Sequence, residues 1–161
     1  MRKALIPGSF DPVTLGHLDL ICRAEGMFDE VTVGIFINPE KEALFTNEER
    51  LELIRLATHN LGRVRLAVSG GYTADFAREG GYAAIVRGYR TQADLAYEQQ
   101  MANFNRQRGG IDTLLLKAPD NLSRVSSSLV RERLRRGEDV SGLVPPASLD
   151  ALLSFYRAKA Y

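Results

Sequence analysis

The sequence has one cysteine, two histidines and no long apolar run. A single cysteine, Cys22, excludes an intramolecular disulfide and any metal site built from several cysteines, and two histidines exclude a histidine-rich metal site. No stretch approaches the roughly 18 apolar residues of a membrane helix, which predicts a protein without a membrane partner in a reducing, cytoplasmic setting. Because Cys22 lies in an apolar helical pattern, we expect a small buried side chain there.

An excess of charge of one sign is also missing, since the formal net charge is +1. This balance argues against nonspecific nucleic-acid binding, which needs a basic face. The local exception is Arg131–Arg136, which is most simply a solvated helix face. The chain carries neither a G-x-x-x-x-G-K-[ST] loop nor a G-x-G-x-x-G fingerprint, and no nucleophile elbow for a serine–histidine–acid triad.

What the sequence does contain is an alternation of apolar β-branched runs with helical patterns over residues 1–161. The strand candidates are Lys3–Ile6, Val31–Ile37, Val64–Val68, Ala83–Val86 and Thr113–Leu116. The helix candidates are Leu18–Ala24, Asn47–Leu61, Thr73–Glu79, Ala93–Gln107, Ser127–Arg136 and Ser148–Ala158. The pattern predicts an α/β fold, a single doubly wound Rossmann-like domain with a five-stranded parallel sheet and helices on both faces.

Four segments rich in polar or small residues each follow a predicted strand. They are residues 8–17, 38–41, 87–90 and 119–128. In doubly wound folds, ligands bind beyond the carboxyl ends of the strands, so we expect these four loops to form one shared site.

The first of these loops carries His17 into the first turn of a helix. Small residues let a backbone approach a ligand closely, and a helix start offers free N–H groups and the positive end of a dipole. This context suits a bound phosphate, and His17 is expected to add a titratable positive charge where the negative charge would collect. The simpler alternative is a helix cap, with Thr14 as the capping residue and His17 as a surface side chain.

The other three loops supply candidate cations and hydroxyls. Arg87 and Arg90 flank Gly88 and are suited to hold phosphate oxygens in a fork, unless they are merely solvated. Lys41 follows the second strand and, taken alone, has no assigned role. Ser126–Ser128 opens a helix, where serines serve as caps or contribute to an anion site.

Taken together, these segments resemble the bacterial phosphopantetheine adenylyltransferase family, part of the nucleotidyltransferase superfamily marked by an H/T-x-G-H motif. The resemblance covers essentially the whole chain. The matching segments are Gly8–Pro12 with Thr14–His17, Phe45–Arg50, Arg87–Arg90 with Asp94, Tyr97–Glu98 and Asn105–Arg106, and Ser126–Val130.

The resemblance implies transfer of the AMP part of ATP onto 4′-phosphopantetheine, which gives 3′-dephospho-coenzyme A and pyrophosphate in coenzyme A biosynthesis. It implies Mg²⁺ held mainly through nucleotide phosphates rather than by a protein metal site, a homohexamer, and coenzyme A as an inhibitor. It also implies catalytic roles for His17 as transition-state stabiliser and for Lys41, Arg90 and Ser128.

Binding residues follow from the same resemblance. Those implied to bind ATP are Ser9, Phe10, His17, Gly88, Tyr89, Arg90, Glu98, Leu122, Ser123, Arg124, Val125, Ser126, Ser127 and Ser128. Those implied to bind phosphopantetheine are Ser9, Lys41, Thr73 and Arg87. The chain departs from the family pattern at Leu122, Tyr89 and Thr73, which affects the base and pantetheine contacts.

The sequence leaves two alternative functions open. One is another member of the superfamily, such as a nicotinate-mononucleotide adenylyltransferase or a cytidylyltransferase, although those usually carry histidine where this chain has Thr14. The other is a catalytically silent nucleotide-binding module, against which the joint presence of His17, Lys41, Arg87 and Arg90 argues.

Overall fold

The computed structural model describes residues 1–159 and contains a five-stranded sheet in the order β3-β2-β1-β4-β5. All neighbouring strands run parallel, as predicted. The strands are β1 (Lys3–Gly8), β2 (Glu30–Phe36), β3 (Val64–Ser69), β4 (Ala84–Tyr89) and β5 (Thr113–Lys117). Residues 160 and 161, which the predicted domain includes, lie outside the described residues.

Helices connect the strands and follow the last one. They are α1 (Leu15–Glu25), α2 (Asn47–Ala57), α3 (Thr73–Glu79), α4 (Gln92–Gly109), α5 (Ser127–Arg135) and α6 (Pro146–Lys159), with a 3₁₀ turn at Asp120–Leu122. None of the helices within residues 1–159 is long and apolar enough to cross a membrane.

Both faces of the sheet are covered by helices. Successive residues of a strand point to opposite faces, so neighbouring residues of β1 belong to two different cores. Ala4 and Ile6 of β1 pack in the core formed with α1, α2, α5 and α6. Leu5, between them, belongs to a second core that includes Ala74 and Ala77 of α3. The predicted α/β architecture with helices on both faces is therefore confirmed.

Some element boundaries differ from the prediction for local reasons. Helix α1 begins at Leu15, three residues early, because the side chain of Thr14 caps it. Helix α2 ends at Ala57 rather than at Leu61, because the Thr58 hydroxyl donates a 2.8 Å hydrogen bond to the Ile54 carbonyl and competes with the helical pattern.

Strand β4 is longer than predicted, and its extra residues matter for the site. Arg87, Gly88 and Tyr89, predicted as a loop, pair with residues 115–117 of β5. Their side chains therefore have the fixed alternation of a strand rather than the freedom of a loop.

The prediction of a buried Cys22 is wrong, since this cysteine is exposed. Ile21 and Ala24 are fully buried and define the inner face of α1. One residue further along a helix is a rotation of about 100°, so Cys22 falls off that face.

The two edges of β1 are paired to different extents. Six residue pairs join β1 to β2, but only two, Ala4–Ala84 and Leu5–Ile85, join β1 to β4. The chain reverses its direction of winding at this point, because β4 returns beside β1 after β3 has formed on the other side. A gap consequently opens between the carboxyl ends of β1 and β4, where doubly wound folds bind ligands.

Candidate active site

Two adjoining cavities lie at the carboxyl edge of the sheet. The first, here called the His17 cavity, is bounded by the ends of β1 and β4, the first turns of α1 and the start of α5. The second, the Lys41 cavity, is bounded by the segment after β2 and by Arg50, Ser128 and Arg131. Ser9 lines both cavities.

His17 is fixed by a capping arrangement at the start of α1. The Thr14 N–H donates to His17 Nδ1 at 3.0 Å, and the His17 N–H donates to the Thr14 hydroxyl oxygen at 3.3 Å. A capping box usually has Glu or Gln in the position of this histidine. Because Nδ1 accepts a backbone N–H, the proton of the neutral ring resides on Nε2. His17 therefore offers an N–H donor at the cavity wall.

The histidine is held neutral as well as oriented. Desolvation by burial, followed by the positive charges of Arg87 and Arg90, lowers the pKa of His17 from 6.5 to about 4. The ring of Phe10 packs edge-on against it, with centroids 4.8 Å apart. At neutral pH the side chain is a hydrogen-bond donor rather than a cation, which corrects the sequence-based view of His17 as a titratable positive charge.

The turn that carries Phe10 is strained and held from two sides. Phe10 has φ of 48°, in the left-handed region that non-glycine residues rarely adopt. Arg50 of α2 donates to the Ser9 carbonyl at 2.9 Å, and Arg131 of α5 donates to the Asp11 carbonyl at 2.7 Å. Two guanidinium groups thus fix the backbone on either side of Phe10.

The side chain of Asp11 ties the same turn to the entrance of α2. Its two carboxylate oxygens accept the N–H groups of Leu44 and Phe45, both at 2.9 Å. Asp11 is buried, so these bonds satisfy a carboxylate that would otherwise be costly to bury. The loop after β1 and the segment after β2 are therefore joined directly.

The three serines at the start of α5 have three different roles. Ser126 caps the helix, accepting the Leu129 N–H at 3.1 Å. The Ser127 hydroxyl donates to the Pro12 carbonyl at 2.8 Å, and the Ser128 hydroxyl accepts from Arg131 at 3.2 Å. Ser126 and Ser127 line the His17 cavity and Ser128 the Lys41 cavity, so the N-terminus of α5 lies where the two meet.

Arg87 of β4 and Arg90, which directly follows that strand, are each held by a carboxylate of α4. Arg87 donates to both oxygens of Glu98, at 2.6 and 3.0 Å, and to the Pro7 carbonyl at 2.6 Å. The Nε atom of Arg90 lies 3.6 Å from Asp94, whose carboxylate also accepts the Arg90 backbone N–H at 3.0 Å.

The structure brings most of the predicted site residues together. Those that line the His17 cavity are Ser9, Phe10, His17, Arg87, Gly88, Tyr89, Arg90, Leu122, Val125, Ser126 and Ser127. Ser9, Lys41 and Ser128 line the Lys41 cavity. Four predicted residues line neither cavity: Thr73, Glu98, Ser123 and Arg124.

Among the residues of the site that sequence reasoning missed are Arg50 and Arg131, two cations that line the Lys41 cavity. Arg131 was expected on a solvated face with its neighbours, yet it turns inward, whereas Arg135 and Arg136 are exposed. The available signal was its helical spacing of three from Ser128, which places both on one side of α5. The signal for Arg50 was its place at the end of Phe45–Arg50, one of the segments that match the family pattern.

Protein donors for a metal ion are scarce in both cavities. Within residues 1–159, no group of three or more histidine, cysteine, aspartate or glutamate side chains is placed to hold a metal ion. The site can instead surround negative charge with N–H donors, hydroxyls and cations from four elements of the fold, which is the chemistry of phosphate binding and transfer.

The fold and this site define a class of nucleotidyltransferases. A solved structure of a candidate nicotinate-nucleotide adenylyltransferase from Vibrio parahaemolyticus superposes with a TM-score of 0.71, covering 98% of this chain and 96% of that one at 18% identity. Residues 5–133 match the cytidylyltransferase-like family.

Comparison with curated relatives shows to which nucleotidyltransferases the chain is similar in sequence. The phosphopantetheine adenylyltransferase of Symbiobacterium thermophilum is 51% identical over 91% of both chains, and that of Streptomyces coelicolor is 47% identical over 98% of this chain and 99% of its own. The chain therefore belongs to the cytidylyltransferase-like family and, within it, to the phosphopantetheine adenylyltransferases, which confirms the resemblance drawn from the motifs.

Proposed function

We propose that this protein transfers the adenylyl group of ATP to 4′-phosphopantetheine, giving 3′-dephospho-coenzyme A and pyrophosphate, as a step of coenzyme A biosynthesis in the cytoplasm. The relatives named for this activity, at 45–51% identity over most of the chain, support the proposal. The observation that carries it is the pair of cavities that meet at Ser9, with the Nε2 donor of His17 on the wall of one of them.

The chemistry requires no nucleophile from the protein. A phosphate oxygen of phosphopantetheine attacks the α-phosphorus of ATP, a new P–O bond forms, and the bond to the bridging oxygen breaks with its electron pair leaving on pyrophosphate. A phosphate monoester has a second pKa of about 6, so the attacking oxygen is already ionised at neutral pH and needs no general base. The remaining task is to align two polyanions and to neutralise the charge that develops between them.

Each donor of the site then has a separate role in the proposal. His17 donates from Nε2 to an oxygen of the α-phosphate, where charge builds up in the transition state. Arg90 holds the nucleotide in the His17 cavity, and Ser128 with the free N–H groups of α5 receives the pyrophosphate. Lys41 and Arg87 hold the phosphate of the acceptor.

Magnesium fits this proposal as a partner of the nucleotide rather than of the protein. Two carboxylates that line the cavities are already bonded to the backbone: Asp11 accepts the N–H groups of Leu44 and Phe45, and Asp94 accepts those of Arg90 and Thr91. Mg²⁺ is commonly bound through substrate phosphates and waters with few protein ligands, and in that position it supplies additional positive charge to the phosphates.

We also propose that the chain assembles into a homohexamer and that coenzyme A inhibits it. An exposed apolar stripe on α4, formed by Tyr97, Met101 and Phe104, supports self-association because such stripes are commonly covered by a partner. Native mass spectrometry tests the assembly, which should have six times the chain mass of 17.9 kDa.

Pyrophosphate release tests the proposed reaction. Purified protein is given ATP and Mg²⁺ with either 4′-phosphopantetheine or nicotinate mononucleotide as acceptor, and the expected result is release with the first only. Release with nicotinate mononucleotide alone would assign the chain to the other activity. Binding of ATP with no release from either acceptor would instead identify a silent nucleotide-binding module.

A further inference from the structure

Within residues 1–159, the segment that carries Lys41 is hydrogen-bonded to the rest of the fold only at its two ends. Residues 38–43 are all exposed, and the N–H groups bonded within this segment donate only to Asn38 of the same turn. At the amino-terminal end, the Ile37 N–H donates to the Ser69 carbonyl at 2.9 Å. The position of Lys41 therefore depends on what holds the other end.

The carboxylate of Asp11 holds that other end. Its two oxygens accept the N–H groups of Leu44 and Phe45, each at 2.9 Å. The residue is only 6% exposed, and the guanidinium of Arg131 lies 3.9 Å from Oδ2, so the buried charge is compensated. Lys41 lies three residues before Leu44, and three residues of chain span at most about 11 Å. The carboxylate thus limits how far Lys41 can move from its cavity.

We propose that Asp11 is a positioning residue for Lys41, because its carboxylate fixes the backbone from which the lysine reaches into the Lys41 cavity. This inference rests on the proposed function, in which Lys41 holds a substrate phosphate. A lysine is a point charge on a flexible stem, so the position of its backbone decides which anion it reaches. A carboxylate suits the task because both of its oxygens accept, whereas an asparagine in its place would turn a donor towards one of the two N–H groups.

Steady-state kinetics of Asp11→Asn tests the proposal, because asparagine keeps the size of the side chain and loses one of the two acceptors. The reference is Lys41→Ala, and the substrate whose KM rises in that variant should be the one whose KM rises in Asp11→Asn. The rise should be about fivefold, smaller than the roughly tenfold rise expected for Lys41→Ala, because the ammonium group is still present. The value of kcat should stay within about twofold, because His17 keeps its bonds to Thr14.

The matched control is Asp29→Asn. Asp29 is also a carboxylate that accepts a backbone N–H, that of Arg2 at 2.6 Å, but it precedes β2 at the opposite edge of the sheet, so neither KM should change. The double variant Asp11→Asn, Lys41→Ala should raise the KM no further than Lys41→Ala alone, within about twofold. Factors that multiply, a rise in the KM of the other substrate alone, or a fall in kcat at unchanged KM would overturn the proposal.

Limited proteolysis reports on the segment without any substrate, which separates this proposal from the proposed function. Trypsin cleaves after lysine and arginine, and mass spectrometry follows cleavage after the exposed residues Lys41 and Arg136. In Asp11→Asn, cleavage after Lys41 should become several-fold faster while cleavage after Arg136 keeps its rate. An unchanged rate after Lys41, or equal acceleration at both bonds, would overturn the proposal even in an active enzyme. A wild-type protein that releases no pyrophosphate from ATP and phosphopantetheine would refute the proposed function alone.

Hydrogen exchange of the wild-type protein tests the anchor if thermal unfolding shows that Asp11→Asn does not fold. The N–H groups of Leu44 and Phe45 should exchange as slowly as those in the middle of α2, because both are bonded to a buried carboxylate. Exchange as fast as in the exposed residues 40–43 would overturn the proposal.

Discussion

The His17 cavity and the Lys41 cavity share Ser9 but hold their charged groups in different ways. In the His17 cavity, the histidine is bonded to Thr14, Arg87 is paired with Glu98, and Arg90 is paired with Asp94. In the Lys41 cavity, Arg50 and Arg131 are also held, by the Ser9 and Asp11 carbonyls, but Lys41 is exposed, and its ammonium group has no hydrogen-bonding partner among residues 1–159.

This difference indicates that the two cavities have different roles in the reaction. Donors that are already oriented cost no reorganisation when charge develops, so the rigid cavity is suited to stabilising the transition state. A lysine on a loop is a point charge that becomes ordered only when an anion arrives. We therefore expect substitution of His17 to affect mainly kcat and substitution of Lys41 to affect mainly KM.

The largest effect is expected from His17→Ala. Removing one preorganised transition-state donor lowers kcat by about 10²-fold or more. The fold should be kept, as measured by thermal unfolding, and His59→Ala, which alters the other histidine far from the site in sequence, should retain normal turnover. Near-normal kcat in His17→Ala would contradict the assigned role.

A contrast between Lys41→Ala and Arg90→Ala sharpens the comparison of the cavities. The KM for phosphopantetheine should rise about tenfold in the first variant, and the KM for ATP should rise by about the same factor in the second. Titration of each substrate against each variant measures this. If both variants raised the same KM, the assignment of Lys41 to the acceptor and of Arg90 to ATP would fail.

A smaller effect is expected from Arg50→Met. The variant removes the donor that holds the Ser9 carbonyl, so the strained Phe10 turn is held from one side only. The free energy of unfolding should fall by about 1.5–3 kcal/mol, the typical contribution of a hydrogen bond to a charged group, and kcat should fall several-fold. Arg55→Met on the exposed side of α2 is the matched control. Equal losses of stability and kcat in both variants would argue against a specific role of Arg50 in holding the Phe10 turn.

The smallest effect concerns pH. Because the pKa of His17 is lowered from 6.5 to about 4, the ring stays neutral and contributes no change in rate above about pH 6. The unfolded chain takes up this proton first, so the corresponding stability is fully present above pH 6.5 and is lost as the pH falls from 6.5 towards 4. An NMR titration of the resonance that is absent in His17→Ala should have its midpoint near 4. A midpoint near 6.5 would contradict the neutral donor.

Much of the fold could be predicted from the sequence because its signals are local. Near-continuous apolar strands such as Val31–Ile37 require cover on both faces, and the alternation with helices then fixes a parallel sheet. The length of β4 could not be predicted, since Arg87 to Tyr89 are ordered by pairing with β5 rather than by their own propensity.

The sequence predicted which residues form the site better than it predicted their chemistry. The loop from Gly8 to His17 pointed to a phosphate site from its composition and position alone. The tautomer of His17 depends on a hydrogen bond from Thr14 N–H, and the pairing of Arg87 with Glu98 joins residues eleven apart on two elements. Burial decides the charge of His17, and burial is a property of the folded chain.

The stereochemical course at the α-phosphorus tests the central claim most directly. ATP made chiral at this phosphorus by an α-sulfur substitution is turned over with 4′-phosphopantetheine, and the configuration of the product is determined. A single in-line attack by the acceptor phosphate across the two cavities predicts inversion of configuration. Retention would require a covalent adenylyl-protein intermediate and would contradict the account.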